Sequence, residues 1–115
     1  MHRKPIVIVP GQAKSVFFEI FFKSLKKKNI SPIILICCLN LFKINAKKNN
    51  FKGSFNLINK NIDNYRFDKN LLNIIDIEYK KSSNRNIQSK YDNEYIFNCF
   101  EVGFEILKSF FILLK

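Results

Sequence analysis

The loop at residues 10–15 is the first stretch of this chain that could do chemistry. It follows four β-branched residues and precedes an amphipathic run, so backbone N–H groups at a helix start could bind an anion there. The candidate residues are Gly11, Gln12 and Ser15, with Glu19 one helical turn further on. Phosphate-binding loops usually need several glycines for close backbone approach, and this loop has one. The favoured interpretation is a tight turn that Gly11 permits, with Ser15 as the helix N-cap.

The carboxylates and hydroxyls of the sequence form no catalytic arrangement. Glu19 and Glu101 are single acids on predicted helices, which favours solvated side chains over an acid–base pair. Ser15 has no histidine to activate it, because the sole histidine, His2, lies beside the N-terminus. We therefore assign no catalytic residue from the sequence.

The cysteines are the remaining reactive side chains. Cys37 and Cys38 are adjacent within an apolar run, Cys99 lies far along the chain, and no C-x-x-C pair exists. With one histidine available, these residues cannot assemble a tetrahedral metal site, so we assign no metal ligand. We therefore expect the three cysteines to act as small buried apolar residues with reduced thiols, in a cytoplasmic protein.

The elements that must position the loop form a strand–helix–strand unit. Ile6–Val9 and Ile33–Cys37 are uninterrupted apolar runs, which indicates strands covered on both faces, as in a parallel sheet. Between them, five apolar residues at helical spacing form one wide face: Phe17, Phe18, Phe21, Phe22 and Leu25. A strand, helix and strand within about 35 residues predict a parallel pair with a right-handed crossover.

The middle of the chain predicts three further elements and a loop. A short helix is expected over Leu39–Lys48, with Leu41, Phe42 and Ile44 facing inward. A weak strand follows at Phe55–Ile58, and a stronger apolar one at Asn73–Ile77. Residues 80–90 are polar and are predicted to be a structureless loop.

The last element is predicted as a helix from about residue 93 to 107. Its inward face is expected to hold Ile96, Phe100, Gly103, Phe104 and Leu107. Its outward face is expected to hold Glu94, Glu101, Glu105 and Lys108. The apolar residues 109–115 have no following turn or partner element, and we interpret them as an atypical terminus produced by truncation or a frameshift.

Charge is distributed unevenly along the chain. The formal net charge is +11, and residues 1–52 hold eleven of the twenty Lys and Arg with a single acid, Glu19. A basic half is typical of proteins that bind nucleic acid or an acidic membrane surface. However, seventeen of the twenty Lys and Arg residues in the chain are lysine. Proteins that bind nucleic acid usually also use arginine, placed among aromatic residues. A small basic binding module is therefore the alternative function, and nucleic acid is not the favoured partner.

The opening of the chain resembles a known enzyme family. Residues 6–19, IVIVPGQAKSVFFE, are similar to the N-terminal signature of 4-hydroxythreonine-4-phosphate dehydrogenases, a hydrophobic strand followed by T-x-G-(D/E)-P-x-G-I-G-P-E. Gly11 and Glu19 fit, and Gln12 is a near match for the acidic residue. Other residues depart from the pattern, in that alanine and phenylalanine replace the prolines and serine and phenylalanine replace two glycines: Ala13, Phe18, Ser15 and Phe17. The order of later elements, through the helix at Tyr95–Lys108, also resembles the first third of that family.

The resemblance implies a specific activity. The family oxidises and decarboxylates 4-phosphooxy-threonine with NAD in vitamin B6 (pyridoxal phosphate) biosynthesis. It works as a homodimer, with a divalent metal held by histidines of both subunits. The fold it implies is the α/β/α sandwich of isocitrate and isopropylmalate dehydrogenases. His2 matches no metal-binding motif, so neither NAD nor metal is expected to bind this chain well.

These expectations define the domain interpretation. Residues 1–108 are interpreted as the N-terminal part of a dehydrogenase domain, inactive at this length, and residues 109–115 as the atypical terminus. A flavodoxin-like domain in its own right is a third possibility, but the Asn/Lys-rich middle does not supply the further helix–strand pairs it would need. No segment reaches the ~20 apolar residues of a membrane span, so the chain is expected to be soluble.

Overall fold

The fold is an α/β unit with one four-stranded, all-parallel sheet and three helices. In the computed structural model, residues 5–26, 31–59 and 72–113 are described; His2 lies outside them. The strands are β1 (Ile6–Ile8), β2 (Ile33–Cys37), β3 (Phe55–Leu57) and β4 (Leu72–Asp76). The helices are α1 (Ser15–Leu25), α2 (Leu39–Lys48) and α3 (Arg85–Leu113). The predicted α/β class with mainly parallel strands and flanking helices is thereby confirmed.

The strands pair in the order β1-β2-β4-β3. The predicted parallel pairing of the first two strands is confirmed, with Ile6 opposite Ile33. β4 inserts between β2 and β3, with Leu35 opposite Ile74. All five residues of β2 are buried, as its uninterrupted apolar run predicts for a central strand.

Helices cover both faces of the sheet. On one face, an aromatic cluster from α1 and α2 packs on alternate residues of β2 and β4; its buried phenylalanines are Phe18, Phe21, Phe22 and Phe42. On the other face, α3 packs on Ile34, Ile36 and Ile75. The inward face predicted for α1 is confirmed. For α2, Phe42 is buried, but Ile44 is 46% exposed and Asn45 takes the buried position instead, so the prediction for Ile44 is wrong.

The predictions for α3 are wrong in two respects. The helix begins at Arg85, inside the segment predicted as loop, because Asn84 caps it: its Oδ1 accepts hydrogen bonds from the N–H groups of Asn86 and Ile87. The inward face differs in part: Gly103 is buried and Ile96 is half-buried against the core, as predicted, but the other buried residues are Tyr95, Cys99, Val102 and Ile106. Phe100, Phe104 and Leu107, predicted to face the core, are 41%, 61% and 42% exposed. The backbone of α3 continues to Leu113, so residues 109–113 extend the helix.

The start of α1 also differs from the prediction. The N-cap residue is Lys14, with extended backbone, and Ser15 is the first helical residue. Gly11 does not adopt a positive φ, and a Cβ added there would meet nothing within 4 Å. The turn therefore does not require glycine at this position, and the prediction that Ser15 caps the helix is wrong.

Candidate functional site

The carboxyl ends of β2 and β4 form the crevice where this type of sheet usually binds ligands. After β2 the chain turns into α2 on one face, and after β4 it leads to α3 on the other. In open parallel sheets, ligands bind where neighbouring strands send their connections to opposite faces. Residues 38–39 and 76–79 lie at this switch point, and sequence motifs alone did not single them out.

Two side chains of the protein itself occupy the start of α2 in this crevice. The Asp76 carboxylate accepts a 2.8 Å hydrogen bond from the Leu39 N–H, and the Tyr95 hydroxyl accepts one of 2.9 Å from the Cys38 N–H. These are the backbone donors that would otherwise be offered to an anionic ligand at a helix start. The start of α2 is therefore already capped from a neighbouring strand and from the opposite helix layer.

The buried thiols beside this crevice are poor nucleophiles. Cys37, Cys38 and Cys99 are free and buried. Burial raises the pKa of Cys99 to about 12 and moves the pKa of Cys37 still further up. Because the thiolate is the reactive form, Cys37 and Cys99 have no nucleophilic role at neutral pH. The expectation of reduced, buried thiols agrees with their geometry.

A second polar cluster fixes the segment between β4 and α3. The Tyr79 hydroxyl donates a 2.6 Å hydrogen bond to Asp92, and the Gln88 amide donates to both. Gln88 also accepts from the Ser82 N–H at 2.7 Å. Burial and the hydrogen bond to Asp92 raise the pKa of Tyr79 to about 12. Each group is engaged by another within the cluster, so the arrangement holds the segment in place.

An open, acidic cleft of about 350 Å³ lies between β4 and α3. Four carboxylates line it, from Asp76, Glu78, Glu101 and Glu105. Glu101, for which the sequence indicated no acidic partner, thus has acidic neighbours in the fold. The summed negative charge of the four carboxylates disfavours a phosphorylated ligand in this cleft. No group of three or more His, Cys, Asp or Glu residues in the described ranges is placed to hold a metal ion, so these residues do not fit the divalent metal that the resemblance implies.

The loop before α1 carries the remaining candidates. Gly11, Gln12 and Lys14 are exposed at the carboxyl end of β1, and Lys14 makes no side-chain capping hydrogen bond. Ser15 is in the first turn of the helix. Glu19 lies a turn further along, with its carboxylate 3.2 Å from the Lys23 ammonium in an exposed pair. The fold therefore places Gly11, Gln12 and Ser15 together at the helix start, whereas Glu19 forms an ion pair with Lys23 on α1.

Comparisons with protein-family models, curated proteins and solved structures found no match to this chain.

The two helix layers differ in charge. Among the described residues, the layer of α1, α2 and their flanking segments carries seven exposed lysines and one acid, Glu19: Lys14, Lys23, Lys26, Lys43, Lys47, Lys48 and Lys52. Of the acids that the structure describes, most lie on the side of α3, including those of the cleft. The basic half of the sequence thus becomes one basic face of the described part of the fold. Across residues 5–26, 31–59 and 72–113, no helix is long and apolar enough to cross a membrane.

Proposed function

We propose that this chain is an α/β unit of an NAD-dependent 4-hydroxythreonine-4-phosphate dehydrogenase, and that it holds the substrate's phosphate at the start of α1. The parallel β1–α1–β2 unit and the sequence resemblance of residues 6–19 support this assignment. In this proposal the chain binds and orients an anionic group, and the chemistry requires residues that this chain does not supply.

The observation that carries the proposal is the difference between the three helix starts. Asp76 accepts a hydrogen bond from the first turn of α2, and Asn84 caps α3. At α1 the N-cap side chain is Lys14, a cation that cannot accept a hydrogen bond and makes no capping contact. A helix start with a neighbouring ammonium group attracts phosphate, since the helix dipole and the lysine charge act in the same direction.

A titration followed by amide NMR tests the binding step. Adding 4-phosphooxy-threonine should shift the amide signals of residues 12–18 and leave those of residues 39–41 unchanged. The unphosphorylated amino acid should cause no shift, because the phosphate is the group that is bound. Lys14→Glu should abolish the response, whereas Lys48→Glu, a matched change at the far end of α2, should preserve it. Equal shifts at all three helix starts would contradict the proposal.

A turnover assay tests whether the chain is a binding unit without catalytic residues of its own. We expect no NAD reduction with 4-phosphooxy-threonine and a divalent metal, because the sequence has a single histidine, His2, and it matches no metal-binding motif. Turnover by the purified chain would show that it carries its own catalytic residues and would overturn the interpretation as a binding unit.

The basic face favours a second candidate function, a binding module for an anionic membrane surface. Val16 and Ile20 are 49% and 61% exposed on the outer side of α1, among the lysines. Lysines around exposed aliphatic side chains are typical of surfaces that lie on acidic lipid, at about 1 kcal/mol per lysine. Nucleic-acid surfaces instead use arginine and aromatic residues.

Vesicle sedimentation distinguishes the two candidates. Binding to phosphatidylserine vesicles, its absence with phosphatidylcholine and its loss in Ile20→Asp would support the membrane module. No binding to either lipid would exclude it. A salt-sensitive shift of a DNA or RNA probe without lipid binding would instead favour nucleic acid.

A further inference from the structure

α3 carries an exposed apolar stripe that is separate from its buried face. The stripe consists of Phe97, Phe100, Phe104 and Leu107, which are 65%, 41%, 61% and 42% exposed. Successive members are three, four and three residues apart, the spacing of the seam between two paired helices. In the sequence the same spacing continues to Phe111. The core contacts of α3 come from other residues, so packing within the sheet unit does not account for the stripe.

The size of the stripe indicates an interaction surface. Large aromatic side chains bury roughly 150–250 Å² each, so the four exposed fractions leave on the order of 400 Å² in water. That is a substantial patch for a protein surface and about half of what one partner contributes to a standard interface. A helix pair formed by this stripe would be a weak one that depends on protein concentration.

We propose that the α3 stripe binds the α3 stripe of a second copy of this chain, with the two helices antiparallel around a two-fold axis. In this arrangement Phe97 lies opposite Leu107 of the partner subunit, and Phe100 lies opposite Phe104 of the partner subunit. Each exposed ring is then covered by the same surface of the other copy, as a two-fold interface requires. The stripe is accessible because α3 packs on β1 and β2 through its buried face, and the stripe lies outside that face. β1 is the edge strand on that side of the sheet.

Charge supports this occupant and this orientation. Glu94 and Lys108 flank the stripe near its two ends and are both exposed, so antiparallel pairing places each opposite the other residue of the partner subunit. Glu101 lies on the same flank, so at the centre of the dimer it faces Glu101 of the partner subunit. The repulsion between these two carboxylates destabilises the dimer. Pairing through α3 also leaves the two basic α1/α2 faces on the outside, where their mutual repulsion is smallest.

Sedimentation velocity over a concentration series tests the proposal. The wild-type chain should pass from monomer to dimer between roughly 1 μM and 1 mM, the range expected of a weak interface. Phe104→Glu should raise the dissociation constant at least ~10-fold, since aromatic anchors dominate such interfaces. Ile44→Glu is the matched control, because Ile44 is also an exposed apolar side chain, at 46%, on the opposite layer. A monomer at every concentration, or equal effects of the two variants, would overturn the proposal.

Charge reversal tests the orientation independently of the apolar contacts. Glu94→Lys and Lys108→Glu should each weaken the dimer, and the double variant should restore it. Glu101→Gln should strengthen it, because it removes the like charges at the centre. If the double variant is as weak as the sum of the single ones, the antiparallel register is wrong. Circular dichroism of each variant confirms that the monomer fold is kept.

Discussion

The hydroxyl of Tyr95, in the middle of α3, accepts a 2.9 Å hydrogen bond from the backbone N–H of Cys38 at the start of α2. Tyr95 is 1% exposed, so this bond crosses the interior at the carboxyl edge of the sheet. It links α2 and α3, which lie on opposite faces of the sheet, and the two bonded residues are 57 positions apart in the sequence.

Tyr95→Phe should destabilise the fold by about 1–3 kcal/mol, because it leaves the buried Cys38 N–H without an acceptor. Urea unfolding followed by circular dichroism measures the loss. Tyr91→Phe is the matched control on the same helix, where the ring is half-buried beneath Lys80, and it should cost much less. Equal losses from the two variants would show that the Cys38 contact contributes nothing of its own.

Asp76→Ala should cost about 0.5–2 kcal/mol, because the carboxylate acts as the N-terminal cap of α2 from a different strand. Asp76→Asn keeps an oxygen acceptor and loses the charge, so it should cost less. Thermal unfolding compares these variants with Glu78→Ala, an exposed carboxylate two residues further on. The capping role would be refuted if removing Glu78 were as costly as removing Asp76.

The free energy of unfolding should fall in alkaline solution. The pKa values of Cys99 and Tyr79 are raised in the folded state from 9.0 and 10.0 to about 12. Between these limits the unfolded chain releases protons that the folded chain retains, so unfolding becomes more favourable as the pH rises. Their contribution is fully present below about pH 9 and is lost toward pH 12.

Urea unfolding at a series of pH values measures this slope. In Tyr79→Phe the slope between pH 10 and pH 12 should be smaller, because one of the titrating groups is removed. A wild-type curve that stays flat from pH 8 to pH 11 would contradict the assignment of buried, protonated groups.

Gly103→Val should destabilise the fold by about 1–3 kcal/mol, because α3 approaches the sheet closely at this residue. A Cβ there would lie 3.2 Å from Val9 Cγ1 and 3.6 Å from Ile36 Cδ1. Gly103→Ala should be nearly neutral, since the ~1 kcal/mol gain in helix propensity offsets the milder crowding. Asn93→Val, at an exposed position of α3, controls for valine in a helix. A loss in Gly103→Val no larger than in that control would show that the sheet has room.

Much of the fold could be predicted from the sequence because it rests on local pattern. The buried run Ile33–Cys37 and the helix Leu39–Lys48 have the predicted boundaries, and the inward phenylalanines of α1 are the predicted ones. These elements are specified by apolar periodicity and by residues within one or two turns.

The errors occur where two patterns compete or where partners are distant. α3 has two neighbouring apolar stripes, and the large side chains Phe100 and Phe104 make the wrong one look like the core face. The fold instead buries Tyr95, Cys99, Val102 and Ile106, and the helix approaches the sheet closely at Gly103, the one residue of the predicted face that is fully buried. The candidate crevice could not be predicted either, since Asp76, Tyr95 and Leu39 come together only once β4 is placed beside β2.

The strand order has a consequence for how the chain folds. β4 is the last strand in sequence, yet it lies between β2 and β3 and supplies the backbone pairing of β3. The register joins Ile33 to Leu72 and Phe55 to Leu72, so neither of the two ladders that β4 forms can assemble during synthesis until residues 72–76 have left the ribosome. The β1–β2 pair can form earlier, but β3 has to wait for a partner that is translated after it. Long-range parallel pairing of this kind is slow, and for the whole of that interval the nascent chain leaves unpaired the edge of β2 that β4 later occupies.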